Sequence, residues 1–115
     1  ISDELKQAIK KCAAQKNVFC KMSSINNFSE VDPFTDPAPT DLNYYLPVLD
    51  SVYDAFGANR LIFATNWGVS AHFGSVDNVK DVVMAYLKPK GQKVVDNVMY
   101  RNAITFYNIK RKYLR

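Results

Sequence analysis

The sequence predicts an α/β fold with short parallel strands, on three observations. The run Leu61-Ile62-Phe63-Ala64 lies between Asn59-Arg60 and Thr65-Asn66, so it is apolar throughout and ends abruptly in polar residues. Such a run suits a strand buried on both faces, as in a parallel sheet covered by helices. Val18-Phe19-Cys20-Lys21-Met22-Ser23-Ser24 repeats the grammar, apolar first and small and polar at its end. Segments with apolar residues three and four apart precede, separate and follow the two runs, the spacing of amphipathic helices.

In chain order, Leu5, Ala8, Ile9 and Cys12 mark one stripe of a helix of about three to four turns, which Ser2 caps. Gln15-Lys16-Asn17 ends it, and the first strand follows. Ser24 to Thr40 reads as a loop, because Pro33, Pro37 and Pro39 remove donors and fix the backbone. Within it Phe28 and Phe34 are candidates to cover a pocket mouth. Leu42, Tyr45, Leu46, Leu49, Val52, Tyr53 and Phe56 keep helical spacing up to Gly57. Pro47 predicts that the continuous part starts near Leu46, after a looser turn opened by Asp41. Tyr44, Tyr45 and Tyr53 are expected to pack.

After the second strand, Ser70 to Gly74 forms a loop carrying the only histidine, His72. Ser75 caps a helix with the stripe Val76, Val79, Val82, Val83, Tyr86 and Leu87, which Lys88-Pro89 stops. A short helix over residues 92–99 is expected next. Asn102 then caps a last helix through Ala103, Phe106 and Tyr107, towards Tyr113 and Leu114.

At 115 residues and 48% hydrophobic, the chain has the material for one domain with a core, and residues 1–115 read as parts of one domain. Neither a disordered nor a membrane class is indicated, since no run of about eighteen apolar residues occurs. The start at Ile1, inside a helical pattern and without Met, predicts an incomplete chain. Cys12 and Cys20 read as reduced small hydrophobes, which points to a cytoplasmic address. The net charge of +4, from 15 Lys and Arg against 11 Asp and Glu, collects on the first and last helices. It reads as a solvated face, so neither nucleic acid nor a membrane is an expected partner.

Function in a parallel sheet sits at the carboxyl ends of the strands, where the loops open towards a ligand. Thr65, Asn66 and Trp67 stand at such an end. Phe56-Gly57, Arg60-Leu61-Ile62-Phe63 and Ala64-Thr65-Asn66-Trp67-Gly68-Val69 together resemble the last barrel strand of the amidohydrolase-related family, the lactonase-like members of the amidohydrolase superfamily. That family reads approximately "Phe-Gly, two residues, Arg-Leu-hydrophobic-hydrophobic-Gly-Ser-Asp-Trp-Pro-Val". Asn17 to Ser24 resembles its penultimate strand, "Asn-Val-hydrophobic-hydrophobic-Lys-hydrophobic-Ser-Gly", with Ser24 in place of the glycine. Asn102-Ala103 and Phe106-Tyr107 resemble its closing helix, "Asn-Ala-x-x-Phe-Tyr".

The resemblance implies the C-terminal part of a (β/α)8 TIM barrel, holding the last two parallel strands and their helices. It implies a hydrolase in which water attacks a lactone or related ester carbonyl. The family's last strand ends in an aspartate that activates water, and the match places Asn66 there. A carboxylate takes a proton from water near neutral pH and an amide does not. Asn66 retains the capacity to orient water or to bond a substrate oxygen. Thr65, Trp67, Lys21, Ser23 and His72 are the candidate substrate contacts, Lys21 because the family pattern carries lysine there. Asp32, Asp36 and Asp77 lack the strand-end position of a replacement base.

No metal site is expected within this chain, because one histidine and two widely set cysteines cannot build one. Any divalent metal belongs to the complete protein, with histidines supplied from elsewhere in the barrel. The expected partners are a small-molecule substrate, the rest of the barrel and, through open strand edges, further copies of the chain. Two rival readings stand beside the hydrolase. One is a catalytically weakened barrel that binds a ligand or acts as a partner protein, and the other is an independent small α/β interaction module.

Overall fold

The computed structural model describes residues 1–114. The order is α1 (Asp3–Ala13), β1 (Cys20–Met22), α2 (Leu42–Phe56), β2 (Leu61–Phe63), α3 (Val76–Leu87), α4 (Gln92–Asp96) and α5 (Asn102–Phe106). The two strands form one parallel pair, with Cys20, Lys21 and Met22 in register with Leu61, Ile62 and Phe63. Both apolar runs shrink to three paired residues, but their direction and order are those the sequence predicts.

The start signals hold. Ser2, Asp41 and Ser75 each accept a hydrogen bond from a backbone N–H of the first turn, on Leu5, Asn43 and Asn78 respectively. Two expectations about helix ends do not. Helix α2 begins at Leu42 rather than near Leu46 and carries Pro47 inside it, because the Asp41 cap closes the first turn ahead of the proline. Asn102 caps nothing. Helices α4 and α5 are joined by a π turn at Asn97–Arg101, so the chain runs helically from 92 to 106. Asn102 is buried within that run, and its Nδ2 donates to Ala58 O and Leu61 O, both at 2.7 Å. Tyr113 and Leu114 lie beyond it, in a separate short turn.

One face of the sheet carries the core. Met22 and Leu61 pack with Tyr45 and Leu49 of α2, Val83 and Leu87 of α3, and Val98 of the π turn, with Cys20 and Phe63 half-buried against them. Lys21 and Ile62, in register with each other, alternate to the opposite face. Three side-chain contacts tie the helices to one another and to this layer. Phe19, just before β1, meets Phe106 at 4.9 Å between ring centroids. Tyr86 of α3 donates to Asp50 Oδ1 of α2 at 2.7 Å. Lys90 Nζ lies 4.3 and 4.5 Å from the ring centroids of Tyr53 and Tyr86. Of the three tyrosines expected to pack, Tyr45 and Tyr53 do. Tyr44 is exposed and its hydroxyl accepts from the Glu30 N–H.

The stripe on α1 is real but mostly uncovered. Ala13, outside the stripe, is the helix's only buried residue, and Leu5 is 38% exposed. Leu5 and Ile9 instead line an open groove of about 210 Å³ beside β1, with Phe28 at its rim. Two strands do not reach far enough to cover them.

Candidate functional site

The loops leaving the carboxyl ends of β1 and β2 make the candidate site. The ladder holds to its last rung, with Cys20 N–H on Arg60 O at 2.9 Å and Ala64 N–H on Met22 O at 3.2 Å. Beyond it each strand turns through a left-handed residue, Ser24 at φ 56° and Asn66 at φ 48°. Asparagine enters this region more readily than most residues because its side chain bonds locally. Serine has less reason to be there, and at Ser24 the resembled pattern carries glycine, which adopts that conformation without steric cost.

The β2 turn is held by bonds within its own segment. Trp67 N–H donates to Thr65 Oγ1 at 3.2 Å, and Ser70 N–H donates to Asn66 O at 3.1 Å. Asn66 and Trp67 are exposed and Thr65 is half-buried. Trp67 is 55% exposed, so packing within this chain does not explain it. On β1, Lys21 is exposed on the face away from the core and Ser23 follows two residues on, with the same alternation. Lys21, Ser23, Thr65, Asn66 and Trp67 thus lie along or just past the carboxyl halves of paired strands.

His72 stands apart. It lies exposed in the short turn Ser70–His72 and lines a shallow depression with Phe34 and Asp36. Phe34, expected to cover a mouth, is 89% exposed. Both thiols are free, and the Cys20 thiol is pushed above its usual range by burial, with Cys12 adding to the shift.

Long-range hydrogen bonds tie each end of the sheet together in ways the sequence left unread. Asn26 is buried, and its Nδ2 donates to Ser70 O at 3.1 Å, joining the two strand-end loops. Ala38 N–H donates to Phe73 O at 2.8 Å and joins them again. At the other end of the sheet, the Arg60 guanidinium donates to Ala13 O, Gln15 O and Val18 O. Arg60 and Asn102 belong to motifs visible in the sequence. Their partners lie more than forty residues away, and local patterning carries no sign of them.

A model of the amidohydrolase family matches residues 2–109. The chain belongs to that family. This amidohydrolase chain is 34% identical over 76 residues to an L-fucono-1,5-lactonase of Burkholderia multivorans, covering 66% of this chain and 25% of the relative. It is 37% identical over 70 residues to an L-fucono-1,5-lactonase of Burkholderia ambifaria, covering 58% and 22%. Among crystal structures, a Burkholderia multivorans amidohydrolase with bound HEPES superposes with a TM-score of 0.81 at 26% identity, covering 91% of this chain and 36% of that one. A form with bound zinc gives 0.81 and 26%, covering 91% and 37%. The chain spans about a quarter of the curated relatives it matches.

The residues of this amidohydrolase chain do not fit a metal centre of their own. Among the described residues no three His, Cys, Asp or Glu side chains come together. The side chain at the end of β2 is a neutral amide rather than a carboxylate, and a carboxylate is the harder and better ligand for a divalent ion. Among the described residues no helix is long and apolar enough to cross a membrane.

Proposed function

We propose that this chain forms the last two strands of a (β/α)8 hydrolase barrel and supplies part of a site at which water attacks a lactone or related ester carbonyl. One observation supports this most directly. In a chain of the amidohydrolase family, Thr65-Asn66-Trp67 leaves the carboxyl end of a parallel strand, where barrel enzymes place their chemistry. The lactonase relatives motivate the substrate class.

On this reading Asn66 orients water or the substrate through its amide. Trp67 walls the pocket with an exposed indole, and Lys21, on the face away from the core, meets the developing negative charge on the carbonyl oxygen. Ser23 and Thr65 add hydroxyl donors, and His72 contributes only if its loop swings inwards. The outward-facing backbone groups of Lys21 on one edge and Phe63 on the other pair with strands from the rest of the barrel.

The amide at position 66 also supports a second reading, a barrel that binds such a ligand and turns it over slowly, since no general base is provided there. A single comparison separates the two. Lactone hydrolysis by the full-length protein is measured beside Asn66→Asp, which restores a carboxylate. The expected result is a rise of about a hundredfold or more, the ordinary contribution of a positioned base. An unchanged rate would show that position 66 does not receive the proton.

A further inference from the structure

We propose that Asn26 is a positioning residue for the strand-end site, acting through Ser70 to hold the left-handed turn at Asn66. The inference rests on the reading of Asn66 given above for its catalytic consequence, but not for its geometry. Asn26 Nδ2 donates to Ser70 O at 3.1 Å. The N–H of the same Ser70 donates to Asn66 O at 3.1 Å. One fully buried residue thus takes a bond from the β1 loop on its carbonyl and gives one to the β2 turn from its amide. The neighbouring Asn27 Oδ1 lies 3.5 Å from Ser70 Oγ, within reach of a third bond.

Packing does not explain why an amide occupies position 26. The residue is 5% exposed, and among the described residues its Oδ1 has no hydrogen-bond partner. A half-satisfied buried amide is a costly way to fill space that an apolar side chain would fill without penalty. Its Nδ2 bond is the one return on that cost. Asn26 is itself fixed from below, since Ser29 Oγ and Ser29 N–H both bond to its carbonyl oxygen. The clamp therefore stands on a closed turn of the β1 loop. Its end is the residue whose side chain points the chemistry, and a displacement of about 1 Å at such a residue is enough to cost about a hundredfold in rate.

The test is amide hydrogen exchange, followed residue by residue in the full-length protein, together with lactone kinetics. In the unaltered protein the Ser70 amide should exchange at least about a hundredfold more slowly than that of Gly68 in the same turn, the Trp67 amide being itself bonded to Thr65 Oγ1. Exchange at the same rate overturns the clamp without any variant. In Asn26→Asp, which keeps the shape but opposes a carboxylate oxygen to Ser70 O, the Ser70 amide should lose its protection while that of Val83 in the core keeps it. The kcat should fall about ten- to a hundredfold with KM within about twofold. Loss of protection at Ser70 and Val83 together would mark Asn26 as merely structural and overturn the proposal. If no protein in the series hydrolyses a lactone, the functional reading fails and the exchange pattern still decides the clamp.

Discussion

The guanidinium of Arg60 donates to the carbonyl oxygen of Ala13 at 2.9 Å across 47 residues of chain. Ala13 ends α1, and the carbonyls there have no partner inside the helix. Arg60 Nη1 also reaches Gln15 O and Val18 O, so one cation closes the helix end and guides the chain into β1. The same guanidinium lies over the Phe56 ring, with Cζ 5.3 Å from the centroid. Lysine carries a single ammonium and cannot span three carbonyls in this planar arrangement. Arg60→Ala should therefore cost about 2–3 kcal/mol and Arg60→Lys more than half of that, read from denaturant melts. Equal stability of Arg60→Lys and the unaltered protein would remove the clamp.

Asn102 presents a sharper case, because it is buried and both its bonds go to backbone at the start of β2. Asn102→Asp places a carboxylate against two carbonyl oxygens and should destabilise by about 3 kcal/mol or more, while Asn102→Ala should cost about 2 kcal/mol. Equal losses in thermal melts would show that the amide protons are not what matters there.

Tyr86 links stability to alkaline pH. Burial pushes its phenol well above the usual value of about 10, and the bond to Asp50 raises it further. Above that usual value the unfolded chain has lost this proton while the folded chain keeps it, so folding binds the proton and stability falls as pH rises. The contribution is whole below about pH 10 and declines above it. Tyr86→Phe should lose the Asp50 bond, about 1 kcal/mol at pH 7, and flatten the decline between pH 10 and 11. A decline of the same slope in the variant would assign it to other groups.

Ser24 occupies left-handed backbone at φ 56°. Relief of that strain, about 1–2 kcal/mol for a residue with Cβ, is partly offset by the greater freedom of glycine in the unfolded chain. Ser24→Gly should gain about 0.5 kcal/mol, and Ser24→Val should lose at least about 1 kcal/mol because a branched Cβ is worse there. A loss on Ser24→Gly, measured by urea unfolding, would mean that the hydroxyl makes a compensating contact.

The features legible in the sequence were those carried by neighbours along the chain. Ser2 and Ser75 cap as read, and the two apolar runs pair in parallel, because capping and strand burial are local matters. Asn102 was misread as a cap for the same reason. An asparagine before Ala103 looks like a helix start unless the distant Leu61 carbonyl is in view. The stripe on α1 was legible, but whether anything covers it depends on what lies beside β1. At the site, the strand-end placement of Asn66 follows from the grammar of the run. The clamp through Asn26 and Ser70 joins two loops 44 residues apart and leaves no periodicity to detect.

The outer rows of the parallel pair, at Lys21 on one strand and Phe63 on the other, face away from each other. Nothing inside a two-stranded sheet can satisfy both, and the apolar wall of Leu5 and Ile9 lies along the β1 side. Purifying this polypeptide by itself is therefore an experiment in stickiness. Its sedimentation behaviour should change with concentration, and strands supplied to pair with the edges at Lys21 and Phe63 should improve its solubility more than a change of buffer.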